Sequence, residues 1–138
     1  MAALAIITAM ESEYNAVNKM YGFDEDGDFP HIKVHGKEVW LVKSGIGKVN
    51  AAIAAQKACD AGAEIIMSTG LAGGIDSSLS QGDIVLADKV CYHDVWCGEP
   101  NAKGQVQDMP LYFAPHAEMV ERIVAALPEN YVKTGLTV

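Results

Sequence analysis

The chain has 138 residues, half of them hydrophobic, which suits one globular domain and is too short for two. A formal charge of −8 and a single arginine, Arg122, argue against nucleic acids and anionic membrane surfaces as partners, because both need a cationic footprint. No apolar run approaches the roughly 20 residues of a membrane-spanning helix, so we expect a soluble protein.

The first predicted elements are a buried strand and a helix. Residues 4–8 are apolar and continuous, and no cationic leader precedes them, which indicates a strand and not a signal peptide. A helix is predicted from residue 10 to about residue 20, with Glu11 and Glu13 in its first turn, where acids suit the helix dipole. Residues 22–28 are acidic and rich in glycine, which predicts a solvated loop, with cation binding as the alternative.

The middle of the chain alternates strands with one helix. The predicted elements are a β-hairpin of residues 31–35 and 38–43 with the turn Gly36-Lys37, a helix over residues 48–61 closed by Gly62, and a strand over residues 64–68.

In the last part of the chain, we predict a strand over residues 82–87, its continuation over 89–93 and a loop over 98–110. A helix over residues 116–127 and a strand over 131–138 follow. His116, at the start of this helix, is predicted to be a surface or capping residue. The alternation predicts one α/β domain over residues 1–138 with a central mixed β-sheet flanked by helices. Because residues 134–138 end the sequence in a strand that nothing covers, we expect the chain to be a fragment.

Glycine-rich junctions follow three of the predicted strands, after Thr8, at residues 44–47 and at residues 69–74. Ligands of open α/β sheets bind beyond the carboxyl ends of the strands, so these junctions are expected to share one crevice. Glycines let the backbone approach a flat ring closely, although each junction taken alone is also compatible with ordinary turn chemistry. Neither a Walker loop nor Gly-x-Gly-x-x-Gly is present.

Five segments together carry a family resemblance. In chain order they are Ala9-Met10-Glu11-Ser12-Glu13, Lys43-Ser44-Gly45-Ile46-Gly47-Lys48-Val49, Thr69-Gly70-Leu71-Ala72-Gly73-Gly74, Gly82-Asp83-Ile84-Val85 and Tyr92-His93-Asp94. The sequence resembles the 5'-methylthioadenosine/S-adenosylhomocysteine nucleosidases of the nucleoside phosphorylase superfamily, over residues 4–138. The resemblance implies hydrolysis of the N-glycosidic bond with release of adenine, in nucleoside catabolism and methionine salvage. It also implies a homodimer, a nucleoside substrate and no metal or organic cofactor.

The resemblance assigns the catalytic role to Glu13, which would hold the attacking water. Cleavage of a ribosyl bond builds positive charge on the sugar, and a nearby carboxylate both stabilises that charge and orients water. From position alone, Glu13 is also compatible with an ordinary surface acid at a helix start, and Glu11 is its local competitor.

Five further residues are predicted to bind substrate. Met10 and Ile46 resemble positions that line the 5'-alkylthio pocket, where a thioether favours apolar, polarisable neighbours, although both are also compatible with the core. Ala72 and Gly73 match positions where the backbone passes close to the purine. Leu71 departs from the family, because many relatives carry a hydroxyl residue there and a leucine side chain donates no hydrogen bond.

Water is favoured over phosphate as the nucleophile. Phosphorylases of the superfamily place an arginine where this chain has Ser68, and Leu71 lacks the hydroxyl of a second phosphate ligand. In the family, the acid that protonates the purine and the Met-Glu pair that grips the ribose lie beyond Val138. The alternatives are a purine nucleoside phosphorylase, a futalosine hydrolase, an AMP nucleosidase or a non-catalytic nucleoside-binding module.

Cysteine usage indicates a reducing cytoplasm, since three cysteines form no closed disulfide framework. The cluster Cys91-x-His93-Asp94-x-x-Cys97 contains zinc-ligand residue types, but its spacing matches no common zinc pattern, so no metal is expected. His93-Asp94 and the following Trp96 resemble a family segment near the dimer interface.

Overall fold

The computed structural model describes residues 3–128 and 131–135, in two compact units divided between Leu71 and Ala72. In chain order the elements are β1 (Ala3–Thr8), α1 (Glu11–Tyr21), β2 (His31–Val34), β3 (Lys37–Lys43), α2 (Lys48–Asp60), β4 (Ala63–Ser68), β5 (Ile84–Val85), α3 (Ala117–Ala126) and β6 (Val132–Lys133). The α/β class predicted from the sequence is confirmed.

The first unit is built on a four-stranded mixed sheet in the order β2-β3-β1-β4. β1 lies between β3 and β4 and pairs with both in parallel, whereas β2 pairs with β3 antiparallel. Since parallel neighbours need a crossover, α1 precedes the β2–β3 hairpin and α2 joins β3 to β4. Both helices pack on the sheet, α1 against β3 and β1, and α2 against β4 and β1.

The core of this unit lies between β1, β3 and α2. Ala5 and Ile7 of β1 and Val42 of β3 pack with Ala54 and Ala58, which lie four residues apart on α2. The two alanines allow the helix to approach the sheet closely. Leu41 of β3 is also completely buried, and burying a leucine side chain stabilises a fold by about 1.5–3 kcal/mol relative to leaving it exposed.

The hairpin turn differs by one residue from the prediction. The turn residues are His35 and Gly36, not Gly36 and Lys37, and β3 begins at Lys37. His35 has φ of 49° and Gly36 has φ of 78°. A two-residue hairpin turn with positive φ at both positions matches the twist of the flanking strands, and glycine adopts this conformation without strain. This turn geometry fixes the register of His31 opposite Trp40.

The second unit has little regular structure. β5 and β6 form a parallel pair of two residues each. The predicted strand over residues 82–87 is shorter than expected because Asp83 N–H donates to the Ser80 carbonyl, and this turn occupies the start of the predicted strand. The predicted strand over 131–138 is limited to Val132–Lys133 within the described residues, and residues 136–138 lie outside them.

The predicted strand over residues 89–93 is wrong. Val90 forms an isolated antiparallel bridge with Phe113, and no ladder extends from it in the described part of the chain. The loop over 98–110 is confirmed. The capping role of His116 is also confirmed, since its Nδ1 accepts a hydrogen bond of 3.4 Å from Met119 N–H at the start of α3. Within residues 3–128 and 131–135, no helix is long and apolar enough to cross a membrane.

Candidate active site

The carboxyl ends of three parallel strands meet at one edge of the first sheet. Ser44 N–H, after β3, donates to the Thr8 carbonyl at 2.9 Å, and Thr69 N–H, after β4, donates to the Ile7 carbonyl at 3.0 Å. The junctions that follow β1, β3 and β4 therefore adjoin one another up to Leu71, where the first unit ends. The adjacency predicted for the glycine-rich junctions is observed up to Leu71, and the ligand-binding crevice that they would form stays a prediction.

Glu13 points its carboxylate at these junctions from the first turn of α1. Its Oε2 accepts hydrogen bonds from the backbone N–H groups of Met10, at 2.9 Å, and Ala9, at 3.0 Å. Its Oε1 accepts a third from Leu71 N–H, at 2.8 Å. Met10 is the residue before the first helical position, so Glu13 occupies the third position of the helix, from which a glutamate side chain reaches back to the preceding backbone. The third bond ties α1 to the end of β4.

These hydrogen bonds lower the pKa of Glu13. The largest contribution is the Leu71 N–H, followed by the Met10 N–H, while partial desolvation acts in the opposite direction and the Ala9 N–H adds to the lowering. A carboxylate that accepts several N–H bonds is stabilised as the anion. Glu13 therefore stays ionised at neutral pH, which suits the stabilisation of positive charge and the orientation of water.

Glu11, the local competitor, is engaged elsewhere. Its carboxylate forms an ion pair and hydrogen bond with Lys43 Nζ, which lowers the pKa of Glu11. Both side chains are exposed to solvent. Glu11 thus forms a surface ion pair, whereas Glu13 lies against backbone donors at the edge of the sheet. The geometry favours Glu13 as the candidate catalytic residue.

The predicted apolar binding residues of the first unit are partly or fully open to solvent. Met10 is half-buried. Ile46 is 73% exposed and Leu71 is 83% exposed, so neither is a core residue. Leu71 reaches Glu13 through its backbone N–H, and this contact does not depend on the missing side-chain hydroxyl. The side chains of Ile46 and Leu71 are available to a ligand.

Ala72 and Gly73 begin the second unit, and both are exposed. A Cβ added to Gly73 would meet no atom within 4 Å. Their predicted proximity to a purine remains a prediction.

Three features of this edge were missed from the sequence. Ala9 contributes its N–H to Glu13, which the helix position of Glu13 could have indicated. Gly70 lies directly against the Glu13 carboxylate, and no sequence signal distinguished it from the other glycines of its run. Thr8 is 1% exposed, and its hydroxyl has no hydrogen-bond partner among the described residues.

The cysteine and histidine residues of the second unit do not assemble a metal site. Cys91 and Cys97 are free and exposed, and His93 Nδ1 lies 4.0 Å from Asp94 Oδ1. In the part of the chain that the structure describes, no group of three or more His, Cys, Asp or Glu side chains could hold a metal ion.

Comparisons with known proteins place the chain in a family. The family model of the phosphorylase superfamily matches residues 3–138. The chain is 35% identical to a 5'-methylthioadenosine/S-adenosylhomocysteine nucleosidase of Staphylococcus haemolyticus, over 93% of this chain and 60% of that protein. It is 37% identical to the nucleosidase of the same name from a Listeria monocytogenes strain, over 98% of this chain and 64% of that protein.

A solved structure of a nucleosidase is also similar to this chain. The Neisseria meningitidis 5'-methylthioadenosine/S-adenosylhomocysteine nucleosidase, in complex with methylthio-immucillin-A, superposes with a TM-score of 0.81 at 32% identity. That match covers 97% of this chain and 62% of the other. The chain thus spans about three fifths of the length of the relatives that it matches.

Proposed function

The chain belongs to the phosphorylase superfamily, and from that membership we propose that it carries the water-positioning part of a nucleosidase. The proposed reaction is hydrolysis of the N-glycosidic bond of 5'-methylthioadenosine or S-adenosylhomocysteine, which releases adenine. The observation that carries the proposal is the Glu13 carboxylate, fixed by three backbone N–H groups where the ends of β1 and β4 meet.

In the proposed reaction the C1'–N9 bond breaks and its electron pair leaves with the adenine, so positive charge develops on the ribosyl ring. The anionic Glu13 stabilises this charge and orients a water molecule, whose oxygen forms the new bond to C1'. The proton released by the water passes to the carboxylate, which acts as the general base. By family resemblance, the leaving purine accepts its proton from a separate acid, which is not assigned within residues 1–138.

Two features support water over phosphate. β4 ends in Ser68, where the resemblance places an arginine in phosphorylases, and the following glycine run carries Leu71 in place of a hydroxyl residue. Tight phosphate binding commonly uses the planar fork of arginine. The single arginine of the chain, Arg122, lies in α3.

The apolar side chains near Glu13 support a thioether-bearing substrate. Met10 directly precedes α1, and Ile46, at the β3–α2 junction, exposes 73% of its surface. Apolar and polarisable side chains suit a 5'-alkylthio group. The relatives named above are nucleosidases for such nucleosides. Leu71, Ala72 and Gly73 complete the proposed binding segment, with Ala72 and Gly73 leaving backbone clearance for the purine.

We also propose a cytoplasmic homodimer. Val49 and Ile53 lie four residues apart on α2 and expose 73% and 49% of their surfaces. Exposed apolar side chains on one helix face are typical of a surface that a partner covers. Cys59 and the other two cysteines are free, as expected in a reducing compartment.

Sedimentation equilibrium tests the dimer. We expect Ile53→Asp to lower the apparent mass from that of a dimer to that of a monomer, because the substitution places a charge in the apolar contact. Cys59→Ser, at an exposed position on a different face of the same helix, is the control and is expected to leave the dimer intact. A wild-type chain that is monomeric at all concentrations would contradict the proposal.

Release of adenine from methylthioadenosine in phosphate-free buffer tests the activity. Because the family resemblance calls for a purine-protonating acid that is not assigned within residues 1–138, we expect only slow release by the wild-type chain, and a further loss of about 10²- to 10⁴-fold in Glu13→Gln, the usual contribution of a positioned base. Glu11→Gln is the matched control, since it removes a neighbouring carboxylate whose partner is Lys43, and it is expected to retain activity.

Other outcomes distinguish the alternatives. Equal losses of adenine release in Glu11→Gln and Glu13→Gln would show that Glu13 has no catalytic role beyond that of a neighbouring carboxylate. Turnover that requires phosphate would indicate a phosphorylase. Binding of methylthioadenosine to the folded chain without turnover would indicate a nucleoside-binding module.

A further inference from the structure

The backbone of Gly70 lies so close to the Glu13 carboxylate that a side chain at position 70 would collide with it. A Cβ added at Gly70 would stand 2.5 Å from Oε1, 2.9 Å from Cδ and 3.1 Å from Oε2 of Glu13. Real Cβ atoms essentially never approach another heavy atom within 3.0 Å. A side chain at position 70 would therefore force the Glu13 carboxylate out of its observed position.

The backbone conformation does not explain this glycine. Ten glycines of the described chain have positive φ, where side chains are strained, but Gly70 is not one of them. An alanine at position 70 is compatible with the local backbone. The three atoms nearest to an added Cβ all belong to the Glu13 carboxyl group, which accounts for the glycine.

The other two glycines of the same run do not share this contact. A Cβ at Gly73 would meet nothing within 4 Å, and a Cβ at Gly74 would meet the Leu79 side chain. Clearance for Glu13 is thus specific to the first glycine of the run, which precedes the residue whose N–H binds Oε1.

We infer that Gly70 is a positioning residue for Glu13: its missing side chain allows the end of β4 to approach the carboxylate so that Leu71 N–H can donate to Oε1. The inference rests on the catalytic role proposed for Glu13. It assigns a function to Gly70 distinct from the purine clearance expected of Ala72 and Gly73.

The atoms in conflict determine what a substitution changes. The end of the Glu13 side chain is flexible and can move, whereas the strand end is held by the bond from Thr69 N–H to the Ile7 carbonyl. Gly70→Ala is therefore expected to leave the fold intact and to displace the carboxylate from Leu71 N–H. Because that N–H makes the largest contribution to lowering the pKa of Glu13, its loss raises this pKa.

Nuclear magnetic resonance of the 138-residue chain tests the inference without requiring turnover. In the wild type, the Glu13 side-chain carboxyl is expected to titrate below the range of an exposed glutamate, and the Leu71 amide resonance is expected to follow the same titration. In Gly70→Ala the Glu13 midpoint is expected to rise towards that range, and the Leu71 amide no longer follows it. Ser68→Ala, at the exposed end of β4, is the control and is expected to behave as the wild type.

A rescue variant separates the contact from general damage. Glu13→Asp shortens the side chain, so adding Gly70→Ala to that variant is expected to cause no further change in the Leu71 amide. If Gly70→Ala fails to fold, the double variant is expected to fold, because the conflicting atoms have been withdrawn. A double variant that is also unfolded, or a Gly70→Ala chain with an unchanged Glu13 titration, overturns the inference.

The result is independent of the hydrolysis assay. A chain that releases no adenine but shows the predicted titrations would retain the positioning role while losing the proposed activity. In a chain that turns over, Gly70→Ala is expected to lower kcat with little change in KM.

Discussion

The two units of the chain bury apolar side chains to different degrees. In the described residues, every buried hydrophobic side chain lies in the first unit, on β1, β3, α2 and the segment after α1. The second unit has two strands of two residues and a helix, α3, without a buried residue. The comparison shows that local hydrogen bonds and caps can define secondary structure in a region that contributes little apolar core.

This difference implies unequal local stability. Regions with few buried apolar contacts open at lower free-energy cost than core strands. The second unit is instead held by polar contacts, among them the ion pair of Lys133 Nζ with Asp83 Oδ2, at 2.6 Å, and the bond of the same Nζ to the Ser78 carbonyl, at 3.2 Å.

The largest expected effect is on the core of the first unit. Leu41→Ala is expected to lower the free energy of unfolding by about 2–5 kcal/mol, because it removes a completely buried side chain and leaves a cavity. Val124→Ala in α3 is the matched change in the second unit, where the side chain is 47% exposed, and is expected to stay within about 0.5 kcal/mol of the wild type.

Urea unfolding measures both variants, Leu41→Ala through the amide signals of β1 and Val124→Ala through those of α3. Comparable losses in Leu41→Ala and Val124→Ala would break the contrast, since they would mean that α3 contributes to a core as much as β3 does.

A smaller effect is expected from the ion pair of the second unit. The hydrogen bond and charge of Lys133 lower the pKa of Asp83, with a contribution from Ser80 N–H. A depressed pKa means that the carboxylate stabilises the fold above the pKa of an unfolded aspartate, and that this stabilisation is lost as the pH falls through the folded pKa. Asp83→Asn is therefore expected to lower the local stability of the second unit at neutral pH to that of the wild type at acid pH.

Hydrogen exchange at Leu86 reports this change, because Leu86 N–H donates to the Lys133 carbonyl. Exchange, corrected for its intrinsic pH dependence, is expected to accelerate in Asp83→Asn and to become equal in the two proteins at acid pH. Glu121→Gln, in α3, is the control. Unchanged Leu86 protection in Asp83→Asn would show that the ion pair does not hold β5 and β6 together.

The first unit could be predicted closely from the sequence, because its signals are local and strong. The apolar run of β1, the alanine-rich α2 and the carboxylates at the start of α1 each indicate one type of element. The hairpin was displaced by one residue, since either Gly36-Lys37 or His35-Gly36 could have formed the turn. In the second unit, residues 89–93 have strand-like composition, but strand formation depends on a distant partner, and within the described residues that partner is limited to Phe113.

The candidate site shows the same division between local and distant information. Glu13 could be predicted as the catalytic candidate from the resemblance, whereas its helix position alone was also compatible with an ordinary surface acid. Gly70 could not, because its requirement for glycine arises from contact with a residue far away in the sequence, and only the parallel pairing of β1 with β4 brings the two together. The contact of Leu71 with Glu13 could not be predicted either, since it uses the main-chain N–H and the side chain of Leu71 gives no sign of it.

The backbone origin of the Glu13 contacts makes this site robust to mutation. A main-chain N–H is present in every residue except proline, so positions 9, 10 and 71 can exchange side chains during evolution and keep their bonds to the carboxylate. Changes in the side chains of Met10 and Leu71 can then alter substrate preference while their backbone N–H groups continue to bind Glu13. Position 70 has no such freedom. Sequence variation around Glu13 is therefore expected at positions 9, 10 and 71 and not at position 70.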